Sequence, residues 1–506
     1  MKLADLVARL RDSRHTLTLA DDKGVETVRT FHDLHRDVLA TVERLRALGV
    51  VPGCRVGLCL PSHYAFMAWD LACIVLGCVS VALPNERPAA DADLASLIER
   101  YRLTLLAIDS TWRPAGAEGI ERLVDIDPDF ASPLPSRAPA PVVMDDRPGT
   151  HSLVFSSGTT GKTKGLVISA AGTAHLLDLY HEAFGVAPGE RFLTFLPFAN
   201  YQQRMIYYFC LWHGVDFVSV PFPQLFAGLK KHQPTFVIAP PILYESLHTL
   251  TRASVGPKLA DDGQALRAKL HELTGGNVRY LITGMAPIKR ATLDFFWANG
   301  VSLYEAFGIT EAGMVAWNKP GATRVGTVGR PAEAGSVTLS DEGEVMITRD
   351  ALLSFGYFES SEEDARTTFR GANTVATGDI AEFDADGYLT VIGRKKDAII
   401  TKNGEKFHPE PIESAIHRDP RVNVAVVLAN ERAGLAAVIS TRHHADPAAV
   451  AALRAHVDTV NAALPAQQQV RQLVFTDRDF TVDNGLRTRN LKLNRRAIAA
   501  AFLVEA

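Results

Sequence analysis

Apolar and polar positions along this chain alternate between two periods. In FHDLHRDVLATVERLRALGV, residues 31 to 50, Phe31, Leu34, Val38, Val42 and Leu45 recur every three to four positions. That spacing predicts an amphipathic helix ending near Gly49. RVGLCLP (55–61) and LTLLAID (103–109) are short apolar runs that predict buried strands. YAFMAWDLACIVLGCVSVAL, residues 64 to 83, carries a single charge, Asp70, and is long enough for a membrane span. Gly77 and the β-rich CVSVALP ending predict instead a buried helix followed by a buried strand. Further strands are expected at FVIAP and VRYLITG, so helices and strands alternate as in a mostly parallel sheet covered on its faces.

After about residue 330 the texture changes. SVTLSDEGEVMITRD and DIAEFDADGYLTVIG are pairs of short strands around acidic turns, Asp341-Glu342-Gly343 and Asp384-Ala385-Asp386-Gly387, which predict hairpins. No twelve-residue ligand loop follows the second turn, so it is not a Ca²⁺ loop. The last hundred residues, with strands at NVAVVLAN and LAAVIS among helices, predict a small α+β unit. The proline-rich run from Pro128 to Pro148 predicts a surface crossing.

Composition narrows the class. At 506 residues the chain exceeds the size at which one core keeps growing, so at least two packed units are expected. A net charge of −4 gives no basic footprint for nucleic acid. The N-terminus MKLADLVARLRDSRH is broken by charges and is not a signal peptide. Five cysteines, an odd number in apolar surroundings, predict buried free thiols and a cytoplasmic protein.

The candidate chemistry begins at SLVFSSGTTGKTKGLVIS, residues 152 to 169. Ser156 stands where a P-loop nucleotidase has its first glycine, and a P-loop needs a helix starting at its Lys-Thr. Here Lys164-Gly165-Leu166-Val167-Ile168-Ser169 is strand-like, which predicts strand, glycine-rich turn, strand. The turn residues Ser156, Ser157, Gly158, Thr159, Thr160 and Gly161 can supply N–H and hydroxyl groups for a polyphosphate, with Lys162 or Lys164 as counter-charge; the alternative for this motif alone is a plain Gly/Ser hairpin.

The stretch resembles the signature loop of the adenylate-forming superfamily, which contains acyl-CoA synthetases, peptide-synthetase adenylation domains and luciferases. The remaining motifs follow in order: TGMAP (283–287), YEAFGITEAG (304–313), TGD (377–379), GRKKDAIITKNGEKFHPEPIE (393–413) and a lysine in LRTRNLKLNRR. The resemblance spans about residues 25 to 500. It implies a large domain, 1–395, of stacked α/β subdomains plus a β-rich subdomain, and a small mobile α+β domain, 396–506, hinged at Lys396.

It also implies residue roles. Phe307 lies against adenine, flanked by Glu305, Ala306 and Gly308, with Gly284, Ala286 and Pro287 as the opposite wall. Thr310 holds the α-phosphate, and Glu311, with Thr160, holds Mg²⁺, a hard cation suited to oxygen ligands. Asp379 takes the ribose hydroxyls, with Val391 and Arg394 beside them. Lys492 stabilises charge at the α-phosphate, with Lys402 and Lys406 as rivals, and Gly404 faces the thiol tunnel after domain rotation. Taken singly, Phe307 is a core residue, Glu311 a surface acid and Thr-Gly-Asp a turn.

Within the superfamily, LPFANYQQRM followed by LWHG, PEPIE and the ending around Lys492 resemble the long-chain fatty acyl-CoA synthetase branch. Asn200 and Gln203 depart from that branch's usual histidine and glutamate, which points to an unusual acid. Ala199 lies near where amino-acid-activating relatives carry an aspartate for the substrate ammonium, which argues against an amino acid. The expected reaction joins a bulky apolar carboxylic acid to ATP and passes the acyl group to coenzyme A. The alternatives are transfer to a carrier protein's pantetheine thiol and a non-catalytic nucleotide-binding scaffold. No nucleic acid partner and no membrane span are expected.

Overall fold

A computed structural model describes residues 1–83, 93–111, 117, 119–126, 139–156, 164–259, 261–400, 406–430, 434–488 and 493–503. The predicted helix forms over Phe31–Ala47. Thr30 and Asp33 cap its start reciprocally, and Phe31, Leu34, Val38, Val42 and Leu45 are buried on one face. Residues 64 to 83 form the helix Tyr64–Leu76 and the strand Val79–Ala82, so the membrane alternative is replaced by core packing. Among the described residues no helix is long and apolar enough to cross a membrane. All five cysteines are buried, and none is in a disulfide.

Two large sheets organise the chain. In the nine-stranded sheet the strands Leu303–Ile309, Tyr280–Thr283, Phe236–Ala239, Arg191–Thr194, Asp216–Ser219 and Thr16–Ala20 lie parallel in that order, with antiparallel strands added at both edges. The seven-stranded sheet has parallel strands at Thr150–Ser156, Val79–Ala82, Arg55–Cys59, Leu105–Asp109 and Leu123–Ile126. Lys164–Ser169 and Ser354–Phe358 close its edge antiparallel. This is the parallel architecture that the alternation predicts.

The acidic turns close antiparallel hairpins, Val337–Leu339 with Glu344–Thr348 and Thr374–Phe383 with Leu389–Arg394, within a third sheet. Beyond residue 396 the chain makes its own cores. The strands Val424–Asn430, Gly434–Ser440 and Val470–Thr476 pack with the helices Glu410–Ile416 and Pro447–Ala462 around Ile412, Ile416, Val427, Ile439, Leu453 and Val457. A second cluster joins Val426, Val438 and Ile498 of the helix Arg495–Phe502.

Of the proline-rich segment, residues 128–138 lie outside the described residues, and 139–148 run mostly exposed, as a surface crossing would. Its end is tied to the seven-stranded sheet, where Val143 bridges Cys54 and Asp146 accepts from the buried Arg55. The N-terminal hairpin, Thr16–Ala20 with Glu26–Thr30, has no counterpart in the sequence reading, because its partner strand Asp216–Ser219 lies some two hundred residues away.

Candidate active site

The parallel strands of the nine-stranded sheet end on one side, the edge where α/β sheets bind ligands. Thr283 and Glu305 sit there side by side in register. Gly284 follows, and a Cβ on it would stand 2.9 Å from the Ala306 carbonyl, so a side chain would push the TGMAP loop away from the strand. Gly308 is tighter still, its Cβ position lying 2.6 Å from the Gly313 carbonyl. Phe307 between them is half-buried and packs on the cluster of Ile309, Val345, Val375, Ala381 and Leu389. The aromatic expected against adenine therefore also belongs to the core. Ala286 and Pro287 lie in the loop after Gly284, and Val391 is a half-buried strand residue opposite Ala381.

Glu305 accepts the Gly326 N–H at 2.8 Å, and burial pushes its carboxyl up to about 7. The Thr283 hydroxyl is buried and has no hydrogen-bond partner among the described residues. A polar atom left in that state is costly, so the edge is built to receive a polar ligand.

Thr310 and Glu311 form the turn between the strands Leu303–Ile309 and Gly313–Trp317. Glu311 accepts the Tyr357 hydroxyl at 2.9 Å. Burial pushes the Tyr357 phenol up, and the neighbouring Glu311 charge adds to the shift, so the phenol stays a donor. Tyr357 stands on the edge strand beside Leu166, and the Lys164 ammonium lies 5.0 Å from its ring centroid. Lys164 also pairs with Asp364 at 2.7 Å, and this pairing holds the Asp364 carboxyl below its ordinary value. Tyr357 thus joins the Thr-Glu turn to the strand that leaves the glycine-rich turn. Sequence reasoning missed Tyr357 and Asp364, which lie in no motif.

The segment around residues 152 to 169 is two antiparallel strands, with Ser156 opposite Lys164 and Phe155 opposite Gly165. A strand, not a helix, follows the turn, as the β-branched residues predict. Ser157, Gly158, Thr159, Thr160, Gly161, Lys162, Lys402, Gly404, Lys492 and the side chain of Ser156 lie outside the described residues.

Asp379 and Arg394 are cross-strand partners, and their side chains pair at 2.7 Å. The aspartate is buried; the arginine keeps 30% of its side chain exposed. Arg394 leads into the short turn Lys395–Asp397 that contains Lys396. Lys395 reaches back to Glu342 and Glu344 at 2.6 and 3.0 Å. On the other side of this junction Glu410 and His408 press on Gly393, whose Cβ position lies 2.4 Å from a Glu410 carboxylate oxygen. Burial pushes Glu410 up to about 7, although Arg495 stands 3.5 Å away. Lys406, a rival lysine, is exposed on the strand Lys406–Phe407.

These elements set a glycine-lined loop, an aromatic, an Asp-Arg pair and a carboxylate at a turn on adjoining sheets, a layout that suits a nucleotide-dependent acid-activating enzyme. The comparisons agree: the AMP-binding enzyme model matches residues 11–350 and the AMP-binding enzyme C-terminal domain model residues 396–505, and the chain belongs to this family. It is 26% identical to the long-chain-fatty-acid–CoA ligase FadD15 of Mycobacterium bovis over 95% of this chain and 92% of that one. Its fold matches the anthranilate CoA ligase AuaEII in complex with anthranoyl-AMP, with a TM-score of 0.79 and 20% identity over 99% and 97% of the two chains. ATP-bound MatB from Rhodopseudomonas palustris matches with a TM-score of 0.77 and 21% identity over 99% of both chains.

Proposed function

We propose that this protein joins a carboxylic acid, bulky and apolar or fatty, to ATP, giving an acyl-adenylate and pyrophosphate, and then passes the acyl group to the thiol of coenzyme A, releasing AMP. The observation that carries the reading is the meeting of motifs distant in sequence and placed on three different sheets: Lys164 and Glu311 on either side of Tyr357, with Phe307 packed on the sheet of Asp379. Its FadD15 relative is named a fatty-acid–CoA ligase, which favours coenzyme A over a carrier protein as acceptor.

In this reading Asp379 accepts the ribose hydroxyls and Arg394 fixes its carboxylate. Phe307 gives adenine an apolar face, and Thr310 donates to the α-phosphate. The Glu311 carboxylate, oriented by Tyr357, suits Mg²⁺, which takes one or two protein carboxylates and completes its shell with phosphate and water. When bound, Mg²⁺ supplies charge neutralisation along the triphosphate. Lys492 places its ammonium where negative charge grows as the acid's carboxylate oxygen attacks the α-phosphorus and pyrophosphate leaves. The large domain ends at residue 395. Lys396 is the hinge about which the small domain turns, so that Gly404 faces the thiol in the second step. The protein works in the cytoplasm.

The test is ATP–pyrophosphate exchange across a panel of acids, with Lys492→Ala beside Lys402→Ala. Exchange should fall by about 10²–10³ for Lys492→Ala and little for Lys402→Ala. Equal, near-wild-type rates in both would remove Lys492 from the role, and no exchange with any acid would remove the activity.

A further inference from the structure

The turn that carries Glu311 is held from behind by one arginine. Arg349 follows the strand Glu344–Thr348, and its side chain is only 1% exposed. Its Nη1 donates to the Ala312 carbonyl at 3.0 Å and its Nη2 to the Met314 carbonyl at 2.6 Å. One planar guanidinium therefore takes both carbonyls that flank Gly313, directly after Glu311. Gly313 leaves that stretch little slack. Its φ is +73°, and a Cβ on it would stand 2.3 Å from Leu176 of the helix Ala170–Phe184 and 3.1 Å from Leu353.

The arginine is itself supported. Its Nε lies 3.1 Å from a carboxylate oxygen of Glu333, an ion pair without hydrogen-bond geometry. His175, on the helix Ala170–Phe184, donates from Nε2 to the same oxygen at 3.0 Å. The Glu333 carbonyl accepts the Ser336 N–H at 3.2 Å and the Ser336 hydroxyl at 2.9 Å, so the carboxylate hangs from a fixed loop. The Arg349 N–H is tied to the Asn373 carbonyl at 3.1 Å. Burial pulls the guanidinium below its ordinary pKa, and Glu333 pulls it back. A buried charge is costly unless it is paired and hydrogen-bonded, and here the hydrogen bonds go to the main chain after Glu311.

We propose that Arg349, backed by Glu333 and His175, is the positioning residue that fixes Glu311 for Mg²⁺. The proposal deepens the function proposed above and rests on its reading of Glu311 as the metal carboxylate. Tyr357 grips that carboxylate directly, whereas Arg349 acts through the main chain of residues 312 to 314. Mg²⁺ demands near-ideal octahedral geometry, so a carboxylate on a turn that wanders binds it poorly. The expected signature is a loss of metal affinity with the rest of nucleotide binding intact.

The test reads binding and backbone motion, not turnover. The probe is Mn²⁺·ATP, and its binding is followed by the relaxation of water protons. In Arg349→Lys, whose point charge cannot span two carbonyls, the Kd of Mn²⁺·ATP should rise about tenfold, the scale of a lost hydrogen bond to a charged group. Glu333→Gln is a milder change at a partly exposed side chain and should raise it about threefold. The Kd of AMP without metal should hold in both. In the unliganded protein the amides of residues 309 to 314 should exchange with deuterium faster in both variants than in the wild type. An unchanged Kd of Mn²⁺·ATP in Arg349→Lys overturns the proposal. So does an equal loss of AMP and Mn²⁺·ATP binding, which would make Arg349 a general support of the fold. Wild-type protein that binds AMP but gains nothing from Mn²⁺ would remove the metal role of Glu311 from the proposed function. Amide exchange at 309 to 314 would then decide by itself whether Arg349 fixes the turn.

Discussion

Asp70 and Arg204 are sealed among the helices Tyr64–Leu76 and Tyr201–His213 and the seven-stranded sheet, both fully buried, whereas Asp379 and Arg394 pair in the candidate site with the arginine partly in solvent. The sealed pair is satisfied from within. Arg204 donates to the Ser80 and Ser152 hydroxyls at 2.9 Å each, and the Tyr207 and Tyr208 hydroxyls donate to Asp70. Two charges can stay in such a place because the carboxylate and the terminal guanidinium nitrogens are paired, although the Arg204 Nε has no hydrogen-bond partner among the described residues. In the second pair Asp379 is buried but Arg394 reaches solvent, so the guanidinium can exchange partners for a ligand at lower cost. The same two residue types serve architecture in one region and, in the proposed function, binding in the other, and the difference is access to solvent.

The largest expected effect breaks the sealed pair. Arg204→Met leaves the Asp70 charge buried without its cation and should cost about 3–5 kcal/mol of stability, measured by urea unfolding. Asp70→Leu combined with Arg204→Met should cost less than Arg204→Met alone, since no orphan charge remains. A single variant that unfolds at the wild-type urea midpoint would remove the pair from the architecture.

Asp379→Ala should do the reverse. Its expected signature is an ATP KM raised by about tenfold to a hundredfold, the scale of lost hydrogen bonds to a charged group. The urea midpoint should move little, because Arg394 can hydrate when its partner is gone. A large loss of stability with unchanged KM would place this pair with the sealed one.

The smallest effect concerns two half-buried acids, Glu305 beside the TGMAP strand and Glu410 beside Gly393. Each has a folded-state pKa of about 7 against an ordinary value of 4.5. A raised carboxyl favours the folded state when protonated, so this contribution is fully present below 4.5 and is lost as pH rises through about 7. Glu305→Gln and Glu410→Gln should each flatten the fall in stability between pH 5 and pH 8. An unchanged slope of the urea midpoint with pH would show that the carboxyl is not held protonated.

Much of the fold was legible because its signals are local. The heptad-like spacing of Phe31, Leu34, Val38, Val42 and Leu45, the acidic hairpin turns and the β-branched residues after Lys164 each specify their own element within a few positions. The candidate site was legible in part for the same reason: TGMAP, YEAFGITEAG and TGD are contiguous, and their order carries the family. Tyr357 and Asp364 were not legible, because each is an ordinary residue until folding sets Glu311 or Lys164 beside it.

The sequence by itself determined the alternation of elements, the identity of the motif residues and the family to which they belong. Only the tertiary structure decided partners: that Asp70, the lone charge in an apolar run, meets Arg204 at a separation of 134 residues, that the N-terminal strand docks on Asp216–Ser219, and that Lys289 reaches the carbonyl of Val422. The physical reason is that periodicity and turn chemistry act over a few residues, while the fate of a charge is set by whatever the whole fold brings within hydrogen-bonding distance and by how much water it leaves there.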